Sequence, residues 1–179
     1  SYDAATGDLL WKCAGQTVNV VPTPVIGFGN VYCASGYRGN ALHAIRLDET
    51  GDLTGTDAVV WSLDDATPYV PSPLLYGDRL YFLSSNRASL SCHDAKTGKA
   101  VFSEQRIEGL GTIYASPVGA GGRVYISARN GTTAVLKHGG DFEVIAVNEL
   151  ADPIDASPVV LGDTLLLRTA EYLYCIAEQ

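Results

Sequence analysis

The chain lacks the features that mark a nucleic-acid-binding protein, a membrane-spanning protein or a helical fold. Its twelve Lys and Arg residues form no cluster and its net charge is −8. A nucleic-acid partner is therefore not expected, because phosphate binding depends on clustered basic side chains. The apolar runs are too interrupted for a membrane span, and no stretch of useful length has the period of a helix. With 46% hydrophobic and 18% charged residues, the chain is still too apolar to be disordered, so we expect a folded globular protein.

What the sequence does contain is a fourfold repeat that begins with a Ser/Thr-Pro pair. The pairs are Thr23-Pro24, Ser72-Pro73, Ser116-Pro117 and Ser157-Pro158, and successive prolines lie 49, 44 and 41 residues apart. Each pair opens an apolar run, and a glycine-containing turn then leads into a second apolar run. A period of this length is typical of a four-stranded sheet repeated around an axis, which is a β-propeller.

The second repeat shows the four strands that this pattern predicts for each blade. We expect strands at Ser72–Tyr76, Arg79–Leu83, Leu90–His93 and Ala100–Glu104. The second of these strands is apolar on both faces, as expected where a neighbouring blade covers each side of the sheet. The fourth strand becomes polar towards its end, as expected of the outer, solvent-facing edge.

A turn motif, Asp-x-x-Thr-Gly, recurs before the fourth strand and is followed by an aromatic residue. The Asp and Thr side chains can accept hydrogen bonds from turn amides, and the Gly supplies a left-handed backbone. The aromatic side chain offers a flat face that can wedge between adjacent sheets. The residues that we predict to form this docking arrangement are Asp3, Thr6, Gly7, Trp11, Trp61, Asp94, Thr97, Gly98 and Phe102.

This motif resembles the tryptophan-docking repeat of the pyrroloquinoline-quinone-type propellers, and the likeness covers essentially the whole chain. The resemblance implies an all-β fold of four-stranded antiparallel blades, with about four blades in a single domain at 1–179. We place the blades at 22–63, 70–106, 114–148 and 155–177. The last blade lacks a fourth strand, and residues 8–13 have the sequence of a fourth strand without a blade, so we expect 8–13 to complete it.

Two other arrangements of the blades agree with the same pattern. Propellers with this repeat more usually have seven or eight blades, so the chain can instead be the C-terminal half of a larger propeller. Alternatively, two such halves can pair as a homodimer that completes a larger ring. The sequence alone does not choose among the three arrangements.

The residue types that carry chemistry do not form a recognisable catalytic or metal-binding set. The four cysteines include no adjacent pair, and the vicinal Cys-Cys pair of the quinone-dependent alcohol dehydrogenases is missing; we interpret them as buried free thiols. The three histidines fall in different predicted blades and are not spaced as a metal triad. The acidic insertion 48–57 lacks the ligand spacing of a calcium loop. We therefore predict no catalytic residue, no cofactor and no metal site.

The mouth of the axial channel is the best place to look for a ligand. The residues just before each Ser/Thr-Pro pair should ring this mouth, and they are mostly apolar or aromatic. Asp155 is the only charged residue among them, so we favour a packed core over a ligand pocket. The members of this ring are Val20, Val21, Tyr69, Val70, Ile113, Tyr114, Ile154 and Asp155.

The resemblance and these sites lead to three functional hypotheses. We favour a non-catalytic propeller that binds proteins or cell-envelope components, similar to the lipoprotein propeller of the outer-membrane β-barrel assembly machinery. The alternatives are a fragment of a quinone-dependent dehydrogenase, and a ligand-sensing or glycan-binding propeller that uses the channel mouth. The resemblance implies a periplasmic or extracellular location. Because the sequence opens on Ser1-Tyr2-Asp3 within a repeat motif, we expect any export signal to lie upstream.

Overall fold

A computed structural model describes residues 1–177, and within this range the chain forms strands and turns and no helix. The strands are β1 Trp11–Lys12, β2 Val25–Gly27, β3 Asn30–Ser35, β4 Ala41–Arg46, β5 Gly51–Asp52, β6 Val59–Leu63, β7 Leu74–Tyr76, β8 Arg79–Leu83, β9 Ser89–Asp94, β10 Ala100–Arg106, β11 Val118–Ala120, β12 Arg123–Ser127, β13 Thr132–Lys137, β14 Val144–Glu149, β15 Val159–Leu161, β16 Thr164–Arg168 and β17 Leu173–Ala177. The predicted all-β fold is confirmed.

The strands form four blades, each an antiparallel sheet that follows chain order from a short first strand to the outer edge. Blade 1 has the order β2-β3-β4-β6, blade 2 β7-β8-β9-β10, and blade 3 β11-β12-β13-β14. Blade 4 is a three-stranded sheet, β15-β16-β17. The first strand of blade 2 contacts the first strands of blades 1 and 3, so the blades stand side by side around a common inner edge.

The core lies between the blades, because each second strand presents apolar side chains to both of its neighbours. In β8, Leu80 and Phe82 pack against blade 1, where they join a cluster around Tyr32 and Leu42. Alternate residues of the same strand point the other way, and Leu83 there joins the cluster shared with blade 3. This two-sided burial is what the apolar pattern of Arg79–Leu83 predicted.

The N-terminal strand lies in a different place from the one predicted. In the structure β1 pairs in parallel with β5, with Trp11 opposite Gly51, and does not pair with β17 of blade 4. The prediction that 8–13 completes blade 4 of the same chain is therefore corrected. The reason is packing: the Trp11 side chain joins the cluster of Val31, Ile45 and Leu53 on the outward face of blade 1.

Candidate functional site

Trp61 meets the Asp-x-x-Thr-Gly turn of the next blade. Its indole Nε1 donates a hydrogen bond to the carbonyl oxygen of Ala95 at 3.0 Å. Its ring lies over Gly98, whose φ of +70° is in the left-handed region; a Cβ there would come within 2.7 Å of the indole. The outer strand of blade 1 therefore rests directly on the turn of blade 2.

The turn under Trp61 is held by Asp94. Its carboxylate accepts hydrogen bonds from the Thr97 hydroxyl at 2.8 Å, the Thr97 amide at 2.9 Å and the Lys96 amide at 3.1 Å. The bonds from Thr97 are the main reason that the pKa of Asp94 lies below its ordinary value. The carboxylate therefore stays ionised and keeps the turn closed at neutral pH.

The other predicted docking residues have different surroundings. Asp3 organises the same kind of turn by accepting from the amides of Ala5 and Thr6, both at 2.8 Å, but a Cβ at Gly7 would meet no atom within 4 Å. Phe102 packs edge-on against Phe142 of blade 3, with ring centroids 5.5 Å apart. The turn at Asp3–Gly7 therefore has no aromatic side chain packed on its glycine, unlike the turn under Trp61. Phe102 lies between blades 2 and 3.

Hydroxyl groups of the Ser/Thr-Pro pairs link the first strands of consecutive blades. The amide of Thr23 donates to Ser72 Oγ at 2.8 Å, and the amide of Ser72 donates to Ser116 Oγ at 3.0 Å. The amide of Ser116 then donates to Ser157 Oγ at 2.9 Å. We call these three bonds the hydroxyl relay. It fixes the spacing of the blades at their inner edge.

Near the relay, Tyr69, Tyr114 and Asp155 each contact a side chain from a turn between second and third strands. Of the other predicted channel-mouth residues, Ile113 and Ile154 are fully buried and do not line a surface. We call the following five residues the rim: Tyr37, Tyr69, Tyr114, Arg129 and Asp155.

Tyr69 stacks on Tyr37, with ring centroids 4.9 Å apart and an interplanar angle of 24°, and its hydroxyl accepts a hydrogen bond from Asn19 at 3.2 Å. Tyr114 has the Arg129 guanidinium 4.5 Å from its ring centroid. Arg129 also holds Asp155 with two bonds, Nε to Oδ1 at 2.7 Å and Nη2 to Oδ2 at 3.3 Å.

The sequence analysis named Tyr69, Tyr114 and Asp155 as possible channel-mouth residues and missed Tyr37 and Arg129, which contact them in the structure. The missed residues lie in the turns between second and third strands. In an antiparallel blade these turns lie at the same end as the segment that enters the first strand. Applied to each repeat, this rule predicts that Arg129 lies at the channel mouth.

Cys13 and Cys33 pack against the same apolar cluster, and Cys33 lies opposite His43 in the register of β3 and β4. Burial raises the pKa of the Cys92 thiol to about 11, as expected of an inert buried thiol. The prediction that all four thiols are buried is corrected, because Cys13 and Cys33 are partly buried and Cys175 is exposed. Cys92 packs against blade 3, whereas among residues 1–177 no blade packs on the face of blade 4 that carries Cys175. Among residues 1–177, no group of three or more His, Cys, Asp or Glu side chains is placed to hold a metal ion.

The acidic insertion 48–57 has a structural contact. Asp52 forms an ion pair with Lys12 at 3.1 Å, at the point where β5 meets β1. Hydrogen bonds from Thr54, and then from Lys12, lower the pKa of Asp52 to about 2. The insertion therefore supplies the edge on which the N-terminal strand lies.

The rim does not fit pyrroloquinoline quinone. This cofactor has three carboxylates, which need cationic partners to replace lost water. Arg129 is already paired with Asp155. Of the two arginines that contact rim tyrosines, this leaves Arg38, 5.4 Å from the ring centroid of Tyr37, to face three carboxylates. The described rim also brings together no set of carboxylates that could bind a calcium ion beside the quinone.

Comparison with solved structures finds the same propeller fold. BamB from Moraxella catarrhalis is 17% identical over 96% of this chain and 50% of its own, with a TM-score of 0.72. The computationally designed Ika4 protein is 11% identical over 96% of this chain and 99% of its own, with a TM-score of 0.72. The quinohemoprotein alcohol dehydrogenase from Comamonas testosteroni is 17% identical over 90% of this chain and 31% of its own, with a TM-score of 0.64.

At these identities the solved structures show a shared fold. The chain spans half the length of the Moraxella protein and about a third of the dehydrogenase. No curated protein sequence matches it. The family model described as outer membrane protein assembly factor BamB matches residues 1–179, and the chain therefore belongs to this family of propellers with quinone-type repeats.

Proposed function

We propose that this chain is a non-catalytic scaffold of the bacterial cell envelope that binds other proteins through the rim. The observation that carries the proposal is the set of arginine and tyrosine side chains held in place there. Arg129 is held by two hydrogen bonds to Asp155 and by its contact with the Tyr114 ring. Tyr37 is fixed by its stacking on Tyr69.

Tyrosine and arginine are the residue types most enriched at the energetic centres of protein interfaces. Tyr37 is 36% exposed and Tyr114 37% exposed, so a partner can reach part of each side chain. A side chain already held in one rotamer loses little conformational entropy on binding. The rim therefore has residue types that suit a protein interface, and their side chains are already ordered before a partner binds.

The family supports an envelope location for this scaffold. The matching model is that of an outer membrane protein assembly factor, and a periplasmic site of action follows for this chain as part of the proposal. In residues 1–177 the structure has no helix that is long and apolar enough to cross a membrane.

The experiment is site-specific photocrosslinking with benzoylphenylalanine in place of Tyr114, using envelope proteins of a Gram-negative bacterium. We expect a discrete crosslinked product that is lost in an Arg129→Ala background. The matched control replaces Phe28, an exposed aromatic residue at the opposite end of the blades, and should give no such product. Equal labelling from both positions would refute a rim-specific partner.

A parallel assay separates this proposal from the dehydrogenase hypothesis. The chain is mixed with pyrroloquinoline quinone and Ca²⁺, and dye-linked oxidation of alcohols and sugars is followed. We expect no turnover above that of free quinone. Turnover that depends on the protein would overturn the non-catalytic assignment.

A further inference from the structure

A cleft of about 190 Å³ opens between blades 1 and 2. One wall is the segment that leaves β6, with Asp64 and Asp65, and the other is the side of blade 2 that carries His93 and Glu104. Both blades have all four strands in this chain, and among the described residues that line the cleft none belongs to the rim. The cleft is therefore part of a complete interior junction, and the groups that line it decide what it can bind.

His93 brings an unpaired hydrogen-bond acceptor to this cleft. The residue is only 7% exposed, and its ring centroid lies 5.1 Å from that of Phe82. Nδ1 is 2.8 Å from the carbonyl oxygen of Gly98, which can only accept, so Nδ1 carries the proton and donates. Burial lowers the pKa of His93, so the ring is neutral at pH 7 and Nε2 keeps its lone pair. Within residues 1–177, Nε2 has no hydrogen-bond partner, and the cleft gives access to it.

A bulge in the outer strand of blade 2 shapes the same wall. The pairing of β10 with β9 shifts between Phe102 and Gln105, and Glu104 within this bulge has φ of +47°, in the left-handed region. The Glu104 amide donates to Ser91 Oγ at 2.9 Å, which fixes the bulge on β9. A bulge bends its strand and changes the direction of its side chains. It therefore accounts for the position of Glu104 at the cleft beside His93.

The wall from blade 1 adds two carboxylates on an anchored segment. Asp65 Oδ1 accepts a hydrogen bond from the amide of the next residue at 2.8 Å. Thr67, two positions further, is fully buried, and its hydroxyl donates to the carbonyl oxygen of Ser35 at 2.7 Å. Among the ion pairs of residues 1–177, none involves Asp64, Asp65 or Glu104. The cleft thus collects three unpaired carboxylates and one accepting imidazole nitrogen.

These groups suit an organic cation better than a metal ion. In the part of the chain that the structure describes, no three such side chains are placed to share a metal ion. A primary ammonium group needs no closed ligand shell, because it carries one positive charge and three N–H donors. Phe82 and Leu63 also line the cleft and offer an apolar surface along which an alkyl chain can lie.

We propose that the cleft binds a primary ammonium group, with His93 Nε2 accepting one of its N–H bonds and the carboxylates of Asp65 and Glu104 balancing its charge. The cleft has room for the ammonium group and a few methylene groups. The ammonium group can belong to a lysine side chain of another protein or to a free alkylamine, because the cleft recognises the same chemistry in both. This inference does not rest on the rim or its partner.

The first test is an NMR titration with n-butylammonium, followed through the imidazole nitrogens of the isotope-labelled chain. We expect His93 to carry its proton on Nδ1 in the free protein. The Nε2 resonance should then move to saturation, because accepting a hydrogen bond changes the shielding of the lone-pair nitrogen. The matched ligand n-butanol has the same chain without the charge and should give no saturable shift. A proton on Nε2, no saturable shift with the amine, or an equal response to butanol would each overturn the proposal.

Charge variants test the two carboxylates. Asp65→Asn and Glu104→Gln keep the side-chain size, and each should raise the dissociation constant of n-butylammonium about two- to five-fold, as for one exposed ion pair. Glu149→Gln is the matched control, because Glu149 is an exposed carboxylate on the outer strand of blade 3. It should leave the constant unchanged, and far-UV circular dichroism should show that all three variants fold. An unchanged constant in either cleft variant, or an equal loss in the control, would refute the proposed role of the carboxylates.

Further ligands separate the two sources of the ammonium group. Tighter binding of Nα-acetyl-lysine N-methylamide than of n-butylammonium would support a lysine of a protein partner, and tighter binding of putrescine would support a free amine. Equal binding of all three would support recognition of the ammonium group alone. Displacement of the amines by Ca²⁺ or Zn²⁺ at concentrations below those of the amines would overturn the proposal in favour of a metal ion.

Discussion

Replacing Gly98 with alanine tests whether Trp61 docks as the structure shows. The change has two separable costs. Gly98 has φ of +70°, and holding an L-residue in the left-handed region costs about 1–2 kcal/mol. The new Cβ would also lie 2.7 Å from Trp61 Cδ2 and 2.8 Å from its Cγ, and overpacking of this kind typically costs about 1–3 kcal/mol. We therefore expect a total loss of about 2–5 kcal/mol in the free energy of unfolding.

A double-mutant cycle isolates the second cost. In a Trp61→Ala background the indole is gone, so Gly98→Ala should cost only the backbone strain of about 1–2 kcal/mol. Gly7→Ala is the matched control, because Gly7 occupies the same turn motif with φ of +77° and its Cβ would meet no atom within 4 Å. It should also cost strain alone.

The assay is urea unfolding followed by far-UV circular dichroism, since removal of a tryptophan would distort a fluorescence signal. The coupling free energy between positions 61 and 98 should be about 1–3 kcal/mol. A Gly98→Ala cost that is the same with and without Trp61 would show that the indole does not rest on this turn in solution.

The fold could be predicted from the sequence because its determinants are local and repeated. The bounds predicted for β8, Arg79–Leu83, are those of the structure, since an apolar run between two turns leaves little freedom in register. The family was likewise carried by one short motif, present as Asp94-Ala95-Lys96-Thr97-Gly98. The pattern occurs in every repeat, so the fold can still be predicted when one repeat has lost part of the motif.

The ends of the row and the rim could not be predicted in the same way. Whether β1 reaches blade 4 depends on the angle between neighbouring blades, which no local pattern encodes. The partners Arg129 and Asp155 are 26 residues apart and meet only because two different turns share one end of the sheets. Cys92 is buried because its face of blade 2 packs on blade 3, whereas Cys175, at the matching position of blade 4, is exposed because within residues 1–177 no blade packs on that face.

Three further predictions concern the relay, the quinone and the histidines. Ser72→Ala should lower the free energy of unfolding by about 0.5–1.5 kcal/mol in urea titrations, because the Thr23 amide loses its acceptor; a change of zero would mean that water replaces it. Calorimetric titration with pyrroloquinoline quinone and Ca²⁺ should give no stoichiometric heat, and a micromolar signal would return the dehydrogenase hypothesis to first place. Finally, burial lowers the pKa of His43 and of His93 below the ordinary 6.5, so the unfolded chain binds more protons than the folded one near that pH. The free energy of unfolding should therefore fall as pH drops from 7.5 to 5.5, because linkage makes stability rise with pH wherever the unfolded state holds more protons. Replacing both histidines with glutamine should flatten this slope in thermal or urea melts across the same window. An unchanged slope would show that neither imidazole is held neutral by the fold.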